Sequence, residues 1–253
     1  MKKVIITGAS DGIGFAIAVE LSKKNFSIKA HGRSEEKLKK LMLQIGSNHN
    51  YATADLSKEE DLELVSQDIK SNHYDIFINN AGIGVNGIFE NEEQNQLQKM
   101  IEVNCIASMK LAHTYLKTAK TGDALLNTSS VMGILQGPYS AVYTGTKAFL
   151  TAMSEALWFE QKDKGVFVTA LLPGATSTNF HSIAKTNPKQ ISPKVTQTPE
   201  QVASIAVAEL LKRKSPTIVT SRLMKFMIFM SKVMSRKAMT NLMGNTSKKF
   251  YVK

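Results

Sequence analysis

A doubly wound α/β fold, in which one parallel sheet carries helices on both faces, is predicted from three features of the sequence. Short apolar runs alternate with longer segments of helical periodicity. This alternation is typical of βαβ units, whose right-handed crossovers build a parallel sheet. A glycine-rich turn joins the first apolar run to the first helical segment, and no repeat of solenoid length occurs. We therefore expect one sheet of about seven strands and a C-terminal helical extension.

The elements are predicted in order along the chain. The first strand covers 4–7, and apolar residues at helical spacing predict a helix over 14–24. Ser34, followed by two acids, is a typical helix cap and first turn. Further strands are predicted at 27–32, 50–54, 75–79, 124–130, 166–172 and 217–221, and further helices at 34–45, 57–70, 94–119, 139–162 and 199–213. The long connection 174–198 is polar, and such segments in compact domains are usually functional or mobile.

Composition indicates a globular protein of the cytoplasm. The chain has 253 residues, of which 43% are apolar and 21% charged. A single cysteine, Cys105, excludes a disulfide within the chain and a cysteine-based metal cluster. The five histidines lack metal-ligand spacing, so no metal site is expected. The sequence also lacks the apolar runs of a secretion signal or a membrane span.

The segment TGASDGIG, residues 7–14, lies between the first strand and the first helix. Gly8 permits a tight turn, Gly12 lets a pyrophosphate approach the backbone, and Gly14 lets the helix pack closely on the sheet. The helix N-terminus offers free N–H groups and a positive dipole end to phosphates. The alternative is a plain strand–turn–helix, but the position of the glycines favours a dinucleotide site. Ser10, Asp11 and Ile13 lie between these glycines and are expected to line the same site.

The residues after the second and third strands bear on the choice of cofactor. An acid after the second strand would bind the ribose 2′-OH of NAD, but this chain has Gly32 and Arg33 there. A guanidinium can pair with a 2′-phosphate, so NADP(H) is expected in preference to NAD(H). Asp11 opposes this preference unless its carboxylate points away or is paired. Asp55, after the third strand, is expected either to accept from the adenine amino group or to cap the next helix.

The segment PYSAVYTGTKAFL, residues 138–150, contains two tyrosines and one lysine at four-residue spacing. Tyr143 and Lys147 would share one helix face, where the ammonium can approach the phenol and favour its ionised form. Such a phenol can exchange a proton with a carbonyl or alcohol oxygen. Tyr139 has Tyr143 rather than a lysine at the next turn, and is interpreted as a packing or pocket-lining residue. Taken alone, the segment is more typical of a core helix that carries aromatic residues, and the site interpretation depends on Ser130 and the glycine loop.

These motifs together resemble the short-chain dehydrogenase/reductase family over about residues 3–221. The resemblance rests on TGASDGIG, NNAG (79–82), Asn104, Ser130, YTGTK (143–147) and PG (173–174), which occur in the family's order. It implies a Rossmann-type sheet. It identifies Tyr143 as the general acid/base. Because the family's serine lies thirteen residues before its tyrosine, it selects Ser130 over Ser129.

The resemblance also implies roles for other residues. Ser130 holds the substrate oxygen, Lys147 also binds the nicotinamide ribose, and Asn104 holds a water that links Lys147 to solvent. The cofactor contacts are expected from the residues already named in the glycine loop, Arg33, Asp55, Tyr143 and Lys147, together with Asn80, Ala81, Gly82, Pro173, Gly174, Thr176 and Thr178. Thr178 matches the family's threonine and Thr176 is its possible substitute. The substrate loop is expected at 179–198.

The expected function is an NADP(H)-preferring carbonyl reductase or alcohol dehydrogenase. A lipid-like ketone, a 3-oxoacyl thioester and a small polyol remain open as substrates, and a homo-dimer or tetramer is expected. The rival interpretation is a non-catalytic, membrane-associated scaffold that retains the fold. Relatives of that kind usually lose the tyrosine or the lysine, and this chain has both.

The basic excess of the protein is concentrated at the C-terminus. The formal net charge is +11, and the eleven Lys and Arg after Leu211 face no Asp or Glu there. We divide the chain into a Rossmann-type domain, 1–221, and a basic amphipathic tail, 222–253. Residues 222–243 form cationic and apolar stripes at helical spacing, which predict contact with the surface of an anionic membrane. Alternatively, the apolar stripe packs on the body, closes the substrate cleft or forms a dimer interface. Stacking aromatics are not interleaved with the cations, so nucleic acid is not an expected partner.

Overall fold

The computed structural model describes residues 1–178 and 196–251. Seven parallel strands form one sheet in the order β3-β2-β1-β4-β5-β6-β7. The strands are β1 (Lys3–Thr7), β2 (Ser27–Gly32), β3 (Asn50–Thr53), β4 (Ile76–Asn79), β5 (Ala124–Thr128), β6 (Phe167–Leu172) and β7 (Thr217–Val219). This order confirms the predicted doubly wound fold. From β1, the strands β2 and β3 are added towards one edge of the sheet and β4 to β7 towards the other, so the switch point lies between β1 and β4. Ligands of such sheets bind in the crevice at the switch point.

Helices cover both faces of the sheet. In chain order they are α1 (Gly12–Ser22), α2 (Glu35–Ile45), α3 (Glu59–Ser71), α4 (Gln94–Ile101), α5 (Ser108–Thr118), α6 (Ala141–Glu160), α7 (Pro199–Lys212), α8 (Arg222–Val233) and α9 (Arg236–Tyr251). One apolar cluster joins α1, α2 and α7 to one face of the sheet. A second cluster joins α3 and α5 to the other face. The central strands are therefore buried on both sides, as their continuous apolar runs predict.

Several helices begin where their sequence places a cap. The Ser34 side chain accepts from the N–H of Lys37, and Glu35 lies in the first turn of α2. Thr198 and Gln201 form a reciprocal capping box at the start of α7, with Pro199 as the first helical residue. These side chains satisfy N–H groups that a helix leaves without internal partners.

Three helical predictions need correction. The helix predicted over 94–119 contains a π-helical stretch, Glu102–Ala107, between α4 and α5. The helix predicted from 139 begins at Ala141, because Tyr139 has a φ of 66°, in the left-handed region. The tail predicted as one helix over 222–243 is two helices, because α8 ends at Val233 and α9 begins at Arg236.

The two tail helices form a third apolar cluster with the body. Ile228 of α8 and Met239 of α9 are buried against Val131, Leu135 and Leu172. Methionines of both helices fill the space around this cluster, as expected of an adaptable, unbranched side chain. One face of the tail therefore packs on the body, as the alternative interpretation of the sequence proposed. No helix among the described residues is both long and apolar enough to cross a membrane.

Candidate active site

Hydrogen bonds connect the glycine loop, residues 7–14, to the segment that follows β4. The Thr7 hydroxyl accepts the N–H groups of Asn80 and Ala81 at 3.0 and 3.1 Å. In return, the Asn80 amide donates to the carbonyl oxygens of Thr7 and Gly8 at 3.1 and 3.2 Å. Asn80 therefore holds the shape of the loop, while its neighbours line the cleft beside it.

Two glycines of the loop have no room for a side chain. Gly8 has a φ of 66°, and a Cβ there would lie 2.8 Å from Ala81 Cα. A Cβ at Gly14 would lie 2.4 Å from both Asn80 Nδ2 and Gly8 O. The glycines thus permit the close approach of α1 to the loop that their spacing predicts.

Replacing Gly14 by alanine is expected to destabilise the protein. Overpacking of this kind costs about 1–3 kcal/mol, and each kcal/mol lowers Tm by roughly 2–4 °C in a domain of this size. Gly145 is the control, because it lies inside α6 with no atom within 4 Å of an added Cβ. Alanine there should stabilise by about 0.5–1 kcal/mol. Equal Tm values for the two variants by differential scanning fluorimetry would contradict this account of the loop.

The charges at the adenosine end of the cleft are partly paired. Asp11 caps α1 by accepting the N–H of Gly12 at 2.7 Å, and its other oxygen forms an ion pair with Lys37. Its carboxylate is therefore compensated, which removes much of the sequence-based objection to a 2′-phosphate. Arg33 is exposed and lines the cleft.

Asp55 is also held at this end of the cleft. It accepts the N–H and the hydroxyl of Ser57 at 3.1 and 2.8 Å. Burial raises its pKa, but these hydrogen bonds and the cations Lys99 and Arg33 outweigh burial and hold the pKa below its usual range. The interpretation of Asp55 as the cap of α3 is wrong, because the N-cap position is Lys58. Its carboxylate borders the cleft and remains our predicted adenine contact.

Ser130, Tyr143 and Lys147 converge at the opposite end of the same cleft. Burial raises the pKa of the Tyr143 phenol to about 12, although its hydrogen bond with the Ser130 hydroxyl acts in the opposite direction. Burial also lowers the pKa of Lys147 to about 8. The ammonium donates to Thr128 O at 2.8 Å and lies 5.8 Å from the centre of the Tyr143 ring. Burial therefore outweighs the expected effect of Lys147 and keeps the phenol protonated at neutral pH.

The two serines after β5 have different roles. The Ser129 hydroxyl lies 2.7 Å from Lys147 O and 2.7 Å from Thr151 Oγ1, so it ties the strand end to α6. Ser130 instead contacts the Tyr143 phenol. The structure thus brings Ser130, rather than Ser129, to the tyrosine.

Tyr139 lies outside α6, so it is not one turn before Tyr143 on the same helix. Its ring stacks on that of Tyr251 in α9, with ring centres 5.3 Å apart and planes 19° apart. Its carbonyl oxygen accepts the N–H of Gly87 at 2.8 Å. Tyr139 is therefore a packing residue, as interpreted, but its main aromatic partner comes from the tail.

Asn104 lies in the π-helical stretch and is fully buried. Its amide donates to Ile83 O at 2.9 Å and to Thr146 Oγ1 at 3.1 Å, and its side-chain oxygen accepts from Ile83 N at 2.9 Å. The side chain thus positions the backbone after Gly82 beside α6. The predicted water at Asn104 remains a prediction.

The segment after β6 returns to the glycine loop. An added Cβ at Gly12 would lie 3.1 Å from Thr178 Cγ2, so Thr178 stands over the start of α1. Thr176 is buried, and its hydroxyl donates to Gly174 O at 3.1 Å. The geometry favours Thr178 over Thr176 as the diphosphate contact. The predicted substrate loop, 179–198, lies largely outside the described residues.

The residues present fit a nicotinamide dinucleotide. The cleft has a volume of 490 Å³ and runs from Arg33 past the glycine loop to Tyr143. Gly82 lines the cleft beside Lys147, since an added Cβ there would lie 3.4 Å from Lys147 Nζ. The start of α1 supplies N–H donors for phosphates, and Lys147 supplies an ammonium for ribose hydroxyls.

The far wall of the cleft combines apolar residues that follow β5 with residues of the tail, of which Tyr251 was not among the sequence-based candidates. Met132 and Leu135 follow β5, while Met224, Met243 and Tyr251 come from the tail. No spacing rule links the tail to the motif residues, because packing brings together segments that are far apart in the sequence. The only available signal was the apolar stripe of the tail.

A second group of chemically active side chains lies away from this cleft. His73, Asp75 and Asp123 place one possible ligand atom each within 4.8 Å of one another. The backbone N–H of Lys3 binds Asp75 at 2.8 Å, and that of Lys120 binds Asp123 at 2.6 Å. These bonds give both carboxylates a structural role in joining chain segments, and we assign no metal to them.

The sequence and the structure both have known counterparts. The short chain dehydrogenase family matches residues 2–189. Hydroxysteroid dehydrogenase-like protein 1 of Gallus gallus is 31% identical over 222 residues, which cover 84% of this chain and 66% of that protein. Very-long-chain 3-oxoacyl-CoA reductase of Rattus norvegicus is 30% identical over 195 residues, which cover 72% of this chain and 61% of that protein.

A short-chain dehydrogenase from Sphingobium yanoikuyae in complex with NADPH has a closely similar structure. Its TM-score is 0.81 at 25% identity, and the match covers 87% of both chains. The glycine loop, the Ser130–Tyr143 hydrogen bond and the buried Lys147 all lie within the matched family region. This chain therefore belongs to the short-chain dehydrogenase family.

Proposed function

We propose that this protein is an NADP(H)-preferring oxidoreductase that interconverts a carbonyl group and a secondary alcohol. The proposal is carried by one observation: Ser130, Tyr143 and Lys147 converge at the end of a cleft that starts at a phosphate-binding loop. The nicotinamide, when bound, supplies the hydride for reduction and accepts it in the reverse reaction.

Tyr143 is the proton donor in the reductive direction. With a pKa of about 12, its phenol is protonated at neutral pH and can give its proton to a carbonyl oxygen. Ser130 already binds the phenol, so a carbonyl oxygen placed between the two hydroxyls would be held and polarised. Lys147 keeps a positive charge beside the phenol, which stabilises the phenolate that proton transfer leaves behind.

NADPH is the proposed physiological cofactor. Arg33 follows β2 at the edge of the cleft, where an NAD-selective protein would carry an acid. The ion pair with Lys37 compensates the negative charge of Asp11 at this end of the cleft.

Replacing Arg33 by alanine is expected to remove most of the preference for NADPH. A charge-assisted bond to phosphate is worth about 1.5–3 kcal/mol, so kcat/KM for NADPH should fall about 10–100-fold. The value for NADH should change little, because NADH lacks the 2′-phosphate. Lys39→Ala, at an exposed position of α2, is the control. Equal kcat/KM values for NADPH and NADH in the wild type would contradict the assignment.

A lipophilic ketone is the proposed substrate class. The wall beyond Tyr143 is formed by side chains that offer no charge, including Met132, Leu135, Met224 and Met243. Such a wall suits an alkyl or ring system rather than a polyol. The names of the relatives in Gallus gallus and Rattus norvegicus point to steroid and long-chain acyl chemistry in those proteins.

A panel assay tests this function. NADPH absorbance is followed with alkyl ketones of increasing chain length, cyclic ketones, 3-oxoacyl thioesters and polyol-derived ketoses. We expect kcat/KM to rise with the apolar surface of the ketone. Turnover of ketoses alone would contradict the proposed substrate class, and no NADPH oxidation with any of these compounds would contradict the proposed function.

Exposed apolar side chains on α4 to α6 support the proposed homo-oligomer. They are Ile101, Ile106, Met109, Phe149 and Phe159. These helices contact one another, so the residues provide apolar area for association between copies of the chain.

A further inference from the structure

The outer face of α8 carries an apolar stripe that the body does not cover. Leu223, Phe226, Phe229 and Val233 recur every three or four residues, which places them on one side of the helix. Their exposed fractions are 45%, 57%, 60% and 66%. The inner face of the same helix packs through Met224, Met227 and Ile228. Helix α8 is therefore apolar on two sides. The inner side packs on the body, and the outer side is exposed.

Cations border the exposed stripe. Arg222, Lys225 and Lys232 are exposed positions of α8, and Arg236 and Lys237 begin α9 at its end. The sequence after Leu211 contains no acid, and the electrostatic interaction of Lys225 with Glu209 of α7 compensates only part of this positive charge. Long basic side chains can bury their stems beside an apolar surface and keep their charges in the polar headgroup layer. This combination of an apolar stripe and flanking cations suits the surface of an anionic bilayer.

A second copy of the chain fits this face less well. In a two-fold dimer the same patch lies on both subunits, so an interface centred on the stripe would bring two basic borders together. Like charges facing each other oppose association. The apolar residues of α4 to α6 offer copies of the chain another surface, without such a concentration of cations.

We propose that α8 docks on the surface of anionic membranes through Leu223, Phe226, Phe229 and Val233. The stripe enters the boundary between headgroups and acyl chains, while the bordering lysines and arginines bind lipid phosphates and carboxylates. The inner face of the same helix contributes Met224 to the active-site cleft. Docking therefore places this wall of the cleft next to the bilayer, where lipophilic ketones concentrate; this last step rests on the proposed function.

Vesicle flotation of the full chain tests the docking face. Wild-type protein should float with vesicles that contain phosphatidylserine, float weakly with phosphatidylcholine alone, and detach as salt rises. Phe226→Ser/Phe229→Ser should reduce binding at least about tenfold, because two aromatic anchors are lost. Lys225→Gln/Lys232→Gln should reduce binding to phosphatidylserine about 30-fold, because two charges near the surface are lost.

Matched controls separate docking through α8 from non-specific adsorption of the protein to vesicles. Leu64→Ser removes a comparably exposed apolar side chain from α3, and Lys39→Gln/Lys40→Gln removes two exposed lysines from α2. Both controls should float like the wild type. Wild-type protein that fails to float, or a Phe226→Ser/Phe229→Ser variant that floats fully, would overturn the proposal. A smaller mass of that variant in light scattering would assign the stripe to a subunit interface instead. Flotation needs no turnover, so these results are independent of the proposed reaction.

Discussion

Replacing Tyr143 by phenylalanine is expected to lower kcat by about a thousandfold. The substitution removes the one phenolic proton that contacts Ser130 and leaves the ring in place. Binding of NADPH should persist, because the glycine loop, Arg33 and Lys147 are untouched. Steady-state turnover of the best ketone and NADPH fluorescence titration measure the two effects separately. A loss of NADPH affinity of similar size would mean that the variant is misfolded rather than chemically disabled.

The matched control is Tyr139→Phe. Phenylalanine keeps the ring that stacks on Tyr251 and removes only the hydroxyl. Tyr139 lies outside α6 and has no lysine at the next turn, so most activity should remain. If Tyr139→Phe abolished turnover and Tyr143→Phe retained it, the assignment of the acid/base would be wrong.

Replacing Lys147 by methionine is expected to abolish turnover and to stabilise the protein measured without added cofactor. Turnover should fall at least about a hundredfold, since the charge that supports the phenolate is lost. Stability should rise at pH 7, because a buried ammonium with a pKa of about 8 opposes folding while it is charged. Methionine fills nearly the same space without that charge and gives up the bond to Thr128 O.

The stabilisation by Lys147→Met is expected to depend on pH, because the pKa of Lys147 differs between the folded and the unfolded chain. The pKa of Lys147 is lowered on folding, from 10.5 to about 8. Between these values the unfolded chain binds the proton more fully than the folded chain, so wild-type stability rises with pH through that window. The advantage of Lys147→Met should therefore be largest below pH 8 and should vanish above about pH 10.5. Lys40→Met, at an exposed lysine, should show no such trend. A Tm of Lys147→Met below wild type at pH 7 would contradict the burial argument.

The sheet could be predicted because parallel strands that are buried on both faces appear in the sequence as short apolar segments. All residues of β4, β5 and β6 are buried, so apolar residues occupy consecutive positions in each strand instead of alternating with polar ones. The start of α6 could not be predicted, because the apolar period continues through a tyrosine whose φ is positive. The π-helical stretch was missed for a related reason, since one extra residue per turn hardly disturbs a short periodic pattern.

The residues of the candidate site could be predicted only where short, fixed spacings in the sequence link them. Tyr143 and Lys147 lie one turn apart, and Ser130 follows from a fixed offset in related proteins. The contribution of Tyr251 depends on the packing of the tail on the body, which stacks this ring on Tyr139, 112 positions earlier in the sequence. The tail sequence indicated an apolar face but not which residues of that face the body would cover.

Deuterium transfer tests the central claim most directly. NADPH that carries deuterium at both C4 positions is incubated with the protein and the best ketone of the panel, and the product is analysed by mass spectrometry. The account predicts an alcohol with one deuterium on the former carbonyl carbon, formed about a thousandfold more slowly by Tyr143→Phe than by wild type. An alcohol without deuterium, or a labelled alcohol formed equally by both proteins, would contradict hydride transfer with Tyr143 as the proton donor.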